Sequence, residues 1–461
     1  MNAARRCSLG VLASASVCAV LSLSPVVRAA GFASARFGGE HGNPTESNPT
    51  ALYYNPAGIA FSEGTHVFGD LSVALRHVTW EHAQSKYDVA EPAGAQGANY
   101  GKASLTNVFA GPAFGVTTKL GDLALGVGMF VPFGGRASWS KNDRFANSAT
   151  FPLAVDGIQR WHSIDGALTE LYLTAGAAYK IGPFSLGVSG NFILSSIKSS
   201  QGKTLATGDN DVTQEVRSNV DVSGHHASFA VGLMWEAIET KLWIGASYQA
   251  APGLGEMKLK GTLTNSAAAG TRVDNVDFLH SLPDIVRFGA RFRPTPTIEL
   301  RLFGDFTRWS RLVNQCITLE DRPCGVKKDG SPADDTGTVV NLYRAWRDTI
   351  GVRLGASKWL SPKTELFAGL GVETSAVPDN TLDPALPDAT TIAISGGGRF
   401  ELWNKLWLGA SYTHIQYLNR DNTGKSILDD PKVHPTTRRV DGGGKYTQWV
   451  GVLNVNLEKQ F

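Results

Sequence analysis

The sequence predicts an all-β protein, a 14-stranded antiparallel transmembrane β-barrel with an N-terminal hatch plugging its lumen. Three observations predict it. Apolar and polar residues alternate with a period of two through most of the chain, the pattern of strands with two unlike faces. The connections between those segments alternate between short and long. Charged residues make up 18%, low for a soluble chain, yet only Leu9–Pro25 approaches the length of a membrane-crossing helix.

That one apolar run follows Arg5 and Arg6 and leads to Val27-Arg28-Ala29, so residues 1–29 read as a secretory signal. Cleavage after Ala29 leaves a chain beginning Ala30-Gly31-Phe32. Residues 30–64 carry no strand periodicity. They hold "NPTALYYNPAGIA" at 48–60, whose prolines and glycine suit tight turns and whose Tyr53, Tyr54 and Ile59 are too apolar for a solvated tail. This segment is expected to plug the barrel that residues 65–461 form.

The strands follow in order at 71–75, 107–119, 123–131, 170–179, 184–196, 226–235 and 241–249. The second half continues at 285–293, 298–309, 349–359, 364–374, 391–402, 405–417 and 449–461. Short turns fall near 120–122, 181–183, 237–240, 294–297, 360–363 and 403–405. Long polar stretches fall at 81–106, 134–165, 201–216, 251–283, 311–346, 376–389 and 419–445. Six short and seven long connections match an outer-membrane barrel whose two ends lie on the short-turn side. Trp80, Trp235, Trp243, Trp309, Trp346, Trp359, Trp403, Trp407 and Trp449 fall near strand ends, where an aromatic girdle is expected. In the last strand Leu453, Val455 and Leu457 share a face with the terminal Phe461, opposite Asn454, Asn456 and Glu458.

Within the second strand Gly111-Pro112 is out of place, because proline removes a ladder donor. Folding about the turn at 120–121 sets Pro112 opposite Gly128-Met129. The seam between Pro112 and Gly126–Gly128 is therefore the expected weak point of the wall, read either as a lateral exit or as a bulge with no opening.

Several stretches resemble one family. The mature start "AGF", the run ending "YYNPAGIA", "SLPDIVRFGARFRPTPTIELRLFGDFTRWS" (281–310) and "DTIGVRLGASKWLSPKTELFAGLGVETSAVPDNTLDPALPDA" (348–389) look like the FadL/TodX outer-membrane transporters of long-chain fatty acids and other hydrophobic compounds. The resemblance spans the mature chain. It implies passive transport: an apolar groove among the outer loops, a deeper pocket beside the hatch, and lateral exit through a gap in the wall. It also implies that Phe32 touches the deep pocket with Tyr53 and Tyr54, and that Asn55-Pro56-Ala57-Gly58 is the hatch element facing the gap. Ala389-Thr390-Thr391 departs from the charged stretch expected after Leu-Pro-Asp. The partners so implied are a hydrophobic small molecule, outer-membrane lipid and lipopolysaccharide, and barrel-assembly machinery reading the Phe461 strand. A monomer is expected.

Other chemistry is not legible. No metalloprotease, P-loop or nucleophile-elbow motif occurs, and His225 and His226, adjacent on a strand, point to opposite faces. No catalytic residue, metal or cofactor is expected. Loss of Arg5, Arg6 and Arg28 takes the 43 basic residues to 40 against 41 acidic ones, a balance unsuited to nucleic acid. Cys7 and Cys18 leave with the signal, and Cys316 and Cys324 are expected to close a small disulfide loop. Arg136, Lys141, Arg144 and Arg160 are candidates to meet a carboxylate. The competing readings are a diffusion porin for small polar solutes, a transporter specific for aromatic hydrocarbons, and an outer-membrane lipase-type enzyme.

Overall fold

The computed structural model describes residues 37–205, 207–267, 270–327, 333, 337–434 and 438–461, so the signal and Phe32 lie outside the described residues. The chain forms β1 (Thr65–His82), β2 (Gly101–Leu120), β3 (Leu123–Ser138), β4 (Asp165–Ile181), β5 (Phe184–Thr204), β6 (Glu215–Ile238) and β7 (Leu242–Gln249). Next come β8 (Met257–Ala267), β9 (Gly270–His280), β10 (Ile285–Thr295), β11 (Ile298–Thr307), β12 (Asn314–Leu319) and β13 (Thr338–Tyr343). The last are β14 (Thr349–Ser361), β15 (Thr364–Glu373), β16 (Thr391–Trp403), β17 (Leu406–Asp421) and β18 (Lys445–Gln460).

Fourteen of these close into an antiparallel barrel: β1 to β7, then β10, β11 and β14 to β18, with β18 pairing back onto β1 from His66–Gln460 to Glu81–Lys445. Closure leaves no edge, the condition for crossing a bilayer with strands. Each of the fourteen expected strands coincides with a barrel strand. The other four, β8, β9, β12 and β13, form a sheet that continues the wall outward from the end of β6. They fall inside stretches read above as loops. Cys316 of β12 is joined to Cys324 just beyond it.

The alternation has the expected consequence. Val127, Leu173, Val188, Leu233, Phe288, Leu354, Ile394 and Leu453 face outward and are exposed, while their neighbours face the lumen. The tryptophans correct the girdle reading. Trp235 and Trp403 are exposed at the wall, but Trp80, Trp243, Trp309 and Trp346 turn inward and are buried. For Trp80 and Trp243, inside β1 and β7, parity along the strand decides the face, whereas Trp309 and Trp346 lie beyond the strand ends, in the loops.

The lumen is filled by residues 37–62, built from the helical turn Ala51–Tyr54 and the tight turns Gly39–His41 and Pro56–Phe61. The wall makes room with glycine. An added Cβ would meet Pro49 at Gly115, Leu52 at Gly126 and Gly176, Ala57 at Gly187, Asn55 at Gly232 and Pro44 at Gly245. The wall also answers the carbonyls that a short helical turn leaves open. Leu52 O accepts from Ser189 Oγ (3.3 Å), Tyr53 O from Arg287 Nη1 (3.2 Å) and Tyr54 O from Ser247 Oγ (2.5 Å).

Candidate functional site

Three cavities that share lining residues lie between the outer loops and the hatch. The outer one, about 120 Å³, lies under the loops against β3 to β6 and is lined by Leu168, Ile197, Val220, Phe278 and Leu386. Leu386 is shared with a second cavity of about 200 Å³ against β14 to β18, which also takes in Ala389 and Thr391. Trp309, Arg353 and Glu373 are shared in turn with a third, of about 110 Å³, beside the hatch.

That third cavity holds Tyr53 and Tyr54. Their rings form an aromatic cluster with Phe37 and Phe130, at centroid spacings of 5.3 Å (Phe37–Tyr53), 5.4 Å (Phe37–Phe130) and 5.1 Å (Tyr53–Tyr54). Arg287 stacks 4.5 Å above Tyr53, a cation–π contact that lets a guanidinium sit in an apolar pocket. Deeper polarity is self-compensated: Arg353 donates to Asp305 at 2.6 Å and to Glu373 at 3.0 Å.

Across the cavity, Pro132 and Phe133 of β3 form the wall. The register of β3 with β4 shifts between Phe130 and Phe133, the mark of a bulge that bends a strand, and residues 130–135 are all buried. The β2–β3 ladder runs from Leu120–Leu123 only to Phe114–Met129. Among the described residues no ladder pair joins Val108–Ala113 to β3. The strands meet again where Asn107 bonds Ser138 through its side chain (Nδ2 to O, 3.1 Å; N to Oδ1, 2.9 Å) and at the Leu105–Trp139 bridge. Between those limits lies a seam in the wall.

Pro112 lies within that seam. Gly126 and Gly128 do not: they pair with Thr117 and Gly115 below it. The ladder sets Gly115, not Pro112, opposite Gly128, because the turn holds strict register up to Phe114. A second proline in "VPF" (131–133) was the missed signal for where β3 bends. The hatch motif is also elsewhere. Asn55 donates to Leu233 O of β6 (3.0 Å), and Pro56 and Ala57 lie on Gly187 of β5, away from the seam. There the wall glycines leave the depth a turn of backbone needs.

Of the basic candidates, Arg160 is buried and bonded to Glu215 (Nε–Oε1, 2.8 Å), a structural pair, while Arg136 lines the outer cavity and pairs with Asp165. The outer loops are themselves clamped. Asp383, between β15 and β16, accepts from Arg344 Nη1 (2.8 Å) before β14 and Arg439 Nη1 (3.1 Å) before β18. Burial alone pushes its carboxyl up, but the two guanidiniums more than offset that and hold it well below the usual range. His162 beside them is pushed down to about 4, mainly by burial, and is neutral at pH 7.

A depressed carboxyl stabilises the folded cap above its unfolded value of about 4, and the contribution fades only as pH falls further. Buried His162 works the other way: below about 6.5 the unfolded chain takes up a proton that the folded cap refuses until about pH 4, so the outer loops are expected to be cut by proteinase K more readily at pH 5 than at pH 8. Asp383→Asn leaves two buried guanidiniums short of their anion, a loss of about 3–5 kcal/mol. Rapid tryptic cleavage of the loops in that variant, with the barrel intact, is the expected result.

Comparison with known proteins bears on this arrangement. The family model described as outer membrane protein transport protein (OMPP1/FadL/TodX) matches residues 11–456. A putative outer membrane protein of Neisseria meningitidis serogroup B is 22% identical over 395 residues, covering 80% of this chain and 81% of its own. Among solved structures, a FadL homologue of Pseudomonas aeruginosa superposes with a TM-score of 0.73 at 16% identity, covering 94% of this chain and all of its own. The toluene transporter TodX of Pseudomonas putida gives 0.60 at 13% identity, covering 94% and 99%.

Proposed function

This chain belongs to the OMPP1/FadL/TodX family of transport proteins in the outer membrane of Gram-negative bacteria, and from that premise we propose that it carries long-chain fatty acids or related hydrophobic compounds passively inward. The observation that supports this reading most is the succession of cavities with shared walls. It leads from the loops, past Leu386 and Trp309, to the aromatic pocket at Tyr53 and on to Phe133 of the seam. Cargo enters from the outer cavity, rests against the hatch and leaves sideways between β2 and β3 into the membrane.

The driving force is burial. Each methylene removed from water contributes about 0.8 kcal/mol, so a long chain binds without coupled energy and departs when the membrane competes for it. The filled lumen opposes an open porin. Lipopolysaccharide around the barrel, and assembly machinery reading the exposed Phe461, complete the proposed partners of a monomer. Mass spectrometry of the protein extracted in detergent is expected to find a fatty acid or other long apolar molecule bound. A consistently empty barrel that conducts ions would overturn the reading.

A further inference from the structure

The charge along the cavities is uneven. Arg76, Arg136, Lys198, Arg344 and Arg439 line the outer one, and among the described residues no carboxylate does. The second cavity reverses this, with Glu40, Glu373 and Asp388 against Arg353. Four of the five outer cations are answered by acids behind them: Arg136 by Asp165, Lys198 by Asp221, and Arg344 with Arg439 by Asp383.

Arg76 is the exception. It is 1% exposed, its Nη2 donates to the neutral Oε1 of Gln448 (3.3 Å), and its Nε is buried with no acceptor. Asp388, whose charge reaches it, is already held by Ser375 Oγ (2.8 Å) and the N–H groups of Ala376 (2.8 Å) and Val377 (3.3 Å). A buried guanidinium with no anion is costly, and the cost falls away when an anion arrives. The fork geometry of arginine suits a carboxylate best.

The position of Arg76 gives this cation a role. On β1 it stands level with Asn107 of β2, the residue that closes the top of the seam on Ser138. Its cavity is bounded on the far side by Gly135, Arg136 and Ala137 of β3, along the same opening. Six residues down β1, about 20 Å at strand rise, the inward residue level with the bottom of the opening is Asp70, beside Ala113. The upper lip thus carries an uncompensated cation and the lower lip an acid.

We infer that Arg76 is the head-group anchor of the transport path: it holds the carboxylate of an anionic amphiphile at the upper lip while the apolar chain descends along the seam. This rests on the transport reading above and sharpens it, selecting carboxylated amphiphiles over neutral hydrocarbons.

Calorimetric titration of the full-length protein in detergent with hexadecanoate and with methyl hexadecanoate tests it. The wild type is expected to bind the acid about tenfold to a hundredfold more tightly than the ester, the effect of a charge-assisted hydrogen bond in a buried site. Arg76→Met is expected to remove that preference and keep ester binding, and Arg76→Lys to retain part of the preference. Equal binding of acid and ester by the wild type overturns the inference and leaves the transport reading standing, as does a preference that survives in Arg76→Met. Binding of neither probe overturns the transport reading itself. Should Arg76→Met fail to assemble, the wild-type ratio and Arg76→Gln decide.

Discussion

Locking the seam between β2 and β3 is expected to stop uptake almost completely. Cysteines introduced at Ala110 and Gly134 stand on the two sides of the opening, above the last ladder pair at Phe114–Met129 and below the Asn107–Ser138 closure. A photocleavable bis-maleimide joining them spans the wall without touching the Cys316–Cys324 bond. Uptake of a radiolabelled long-chain fatty acid by cells carrying the variant is expected to fall at least tenfold on cross-linking and to return on illumination. Along the seam no ladder has to break, and Phe133 on its β3 side lines the cavity in which cargo rests beside the hatch, so cargo can leave there with the wall hydrogen bonds intact. The same variant before cross-linking is its own control for assembly. Uptake that continues unchanged in the cross-linked protein would sink lateral exit and direct attention to movement of the hatch.

The fourteen barrel strands were legible because each has one lipid face and one lumen face, so the period of two is strong. Of the four outer strands, β9 lacks that contrast: residues 270–273 are exposed whichever way they point. In β8, "MKLKGTL" does alternate, but it is a short run inside a long polar connection.

Pro112 marked the seam, but its upper limit depends on a side-chain closure by Asn107 and on a bulge near Pro132, both tertiary events. Arg76 alternates in phase with Asp70, Val78 and Trp80, which puts them on one face. Nothing local says that the face is the lumen, or that no acid arrives there from β18. Residue type alone does not separate the basic candidates, and burial does: Arg160 is neutralised by Glu215, whereas Arg76, inside a strand, keeps its Nε without an acceptor.

The hatch offers the second large effect. A methyl group added at Gly187 would lie 2.3 Å from the backbone nitrogen of Ala57, and one at Gly245 would lie 2.1 Å from the carbonyl oxygen of Pro44. Neither contact is with a flexible side-chain end, so one backbone must yield. The wall strands cannot, since β5 and β7 are each laddered on both sides. The hatch yields instead, losing the bonds from Ser185 to Ala57 O (2.8 Å) and from Ser247 to Tyr54 O (2.5 Å) as it lifts. Overpacking of this kind costs about 1–3 kcal/mol at each site, comparable with the worth of the few hydrogen bonds that seat the segment.

Gly187→Ala with Gly245→Ala is therefore expected to leave a folded barrel whose hatch is displaced for much of the time. In planar bilayers it should conduct in steps that the wild type lacks. Gly190→Ala supplies the control, because a methyl group on Gly190, three residues along β5, meets nothing within 4 Å. Conductance that stays at the wild-type level in the double variant, with the barrel assembled, would mean that the wall bends to accept the methyl groups and that the glycine belt does not hold the hatch in place. Conductance in Gly190→Ala as well would trace the leak to the strand and not to the seat of the hatch.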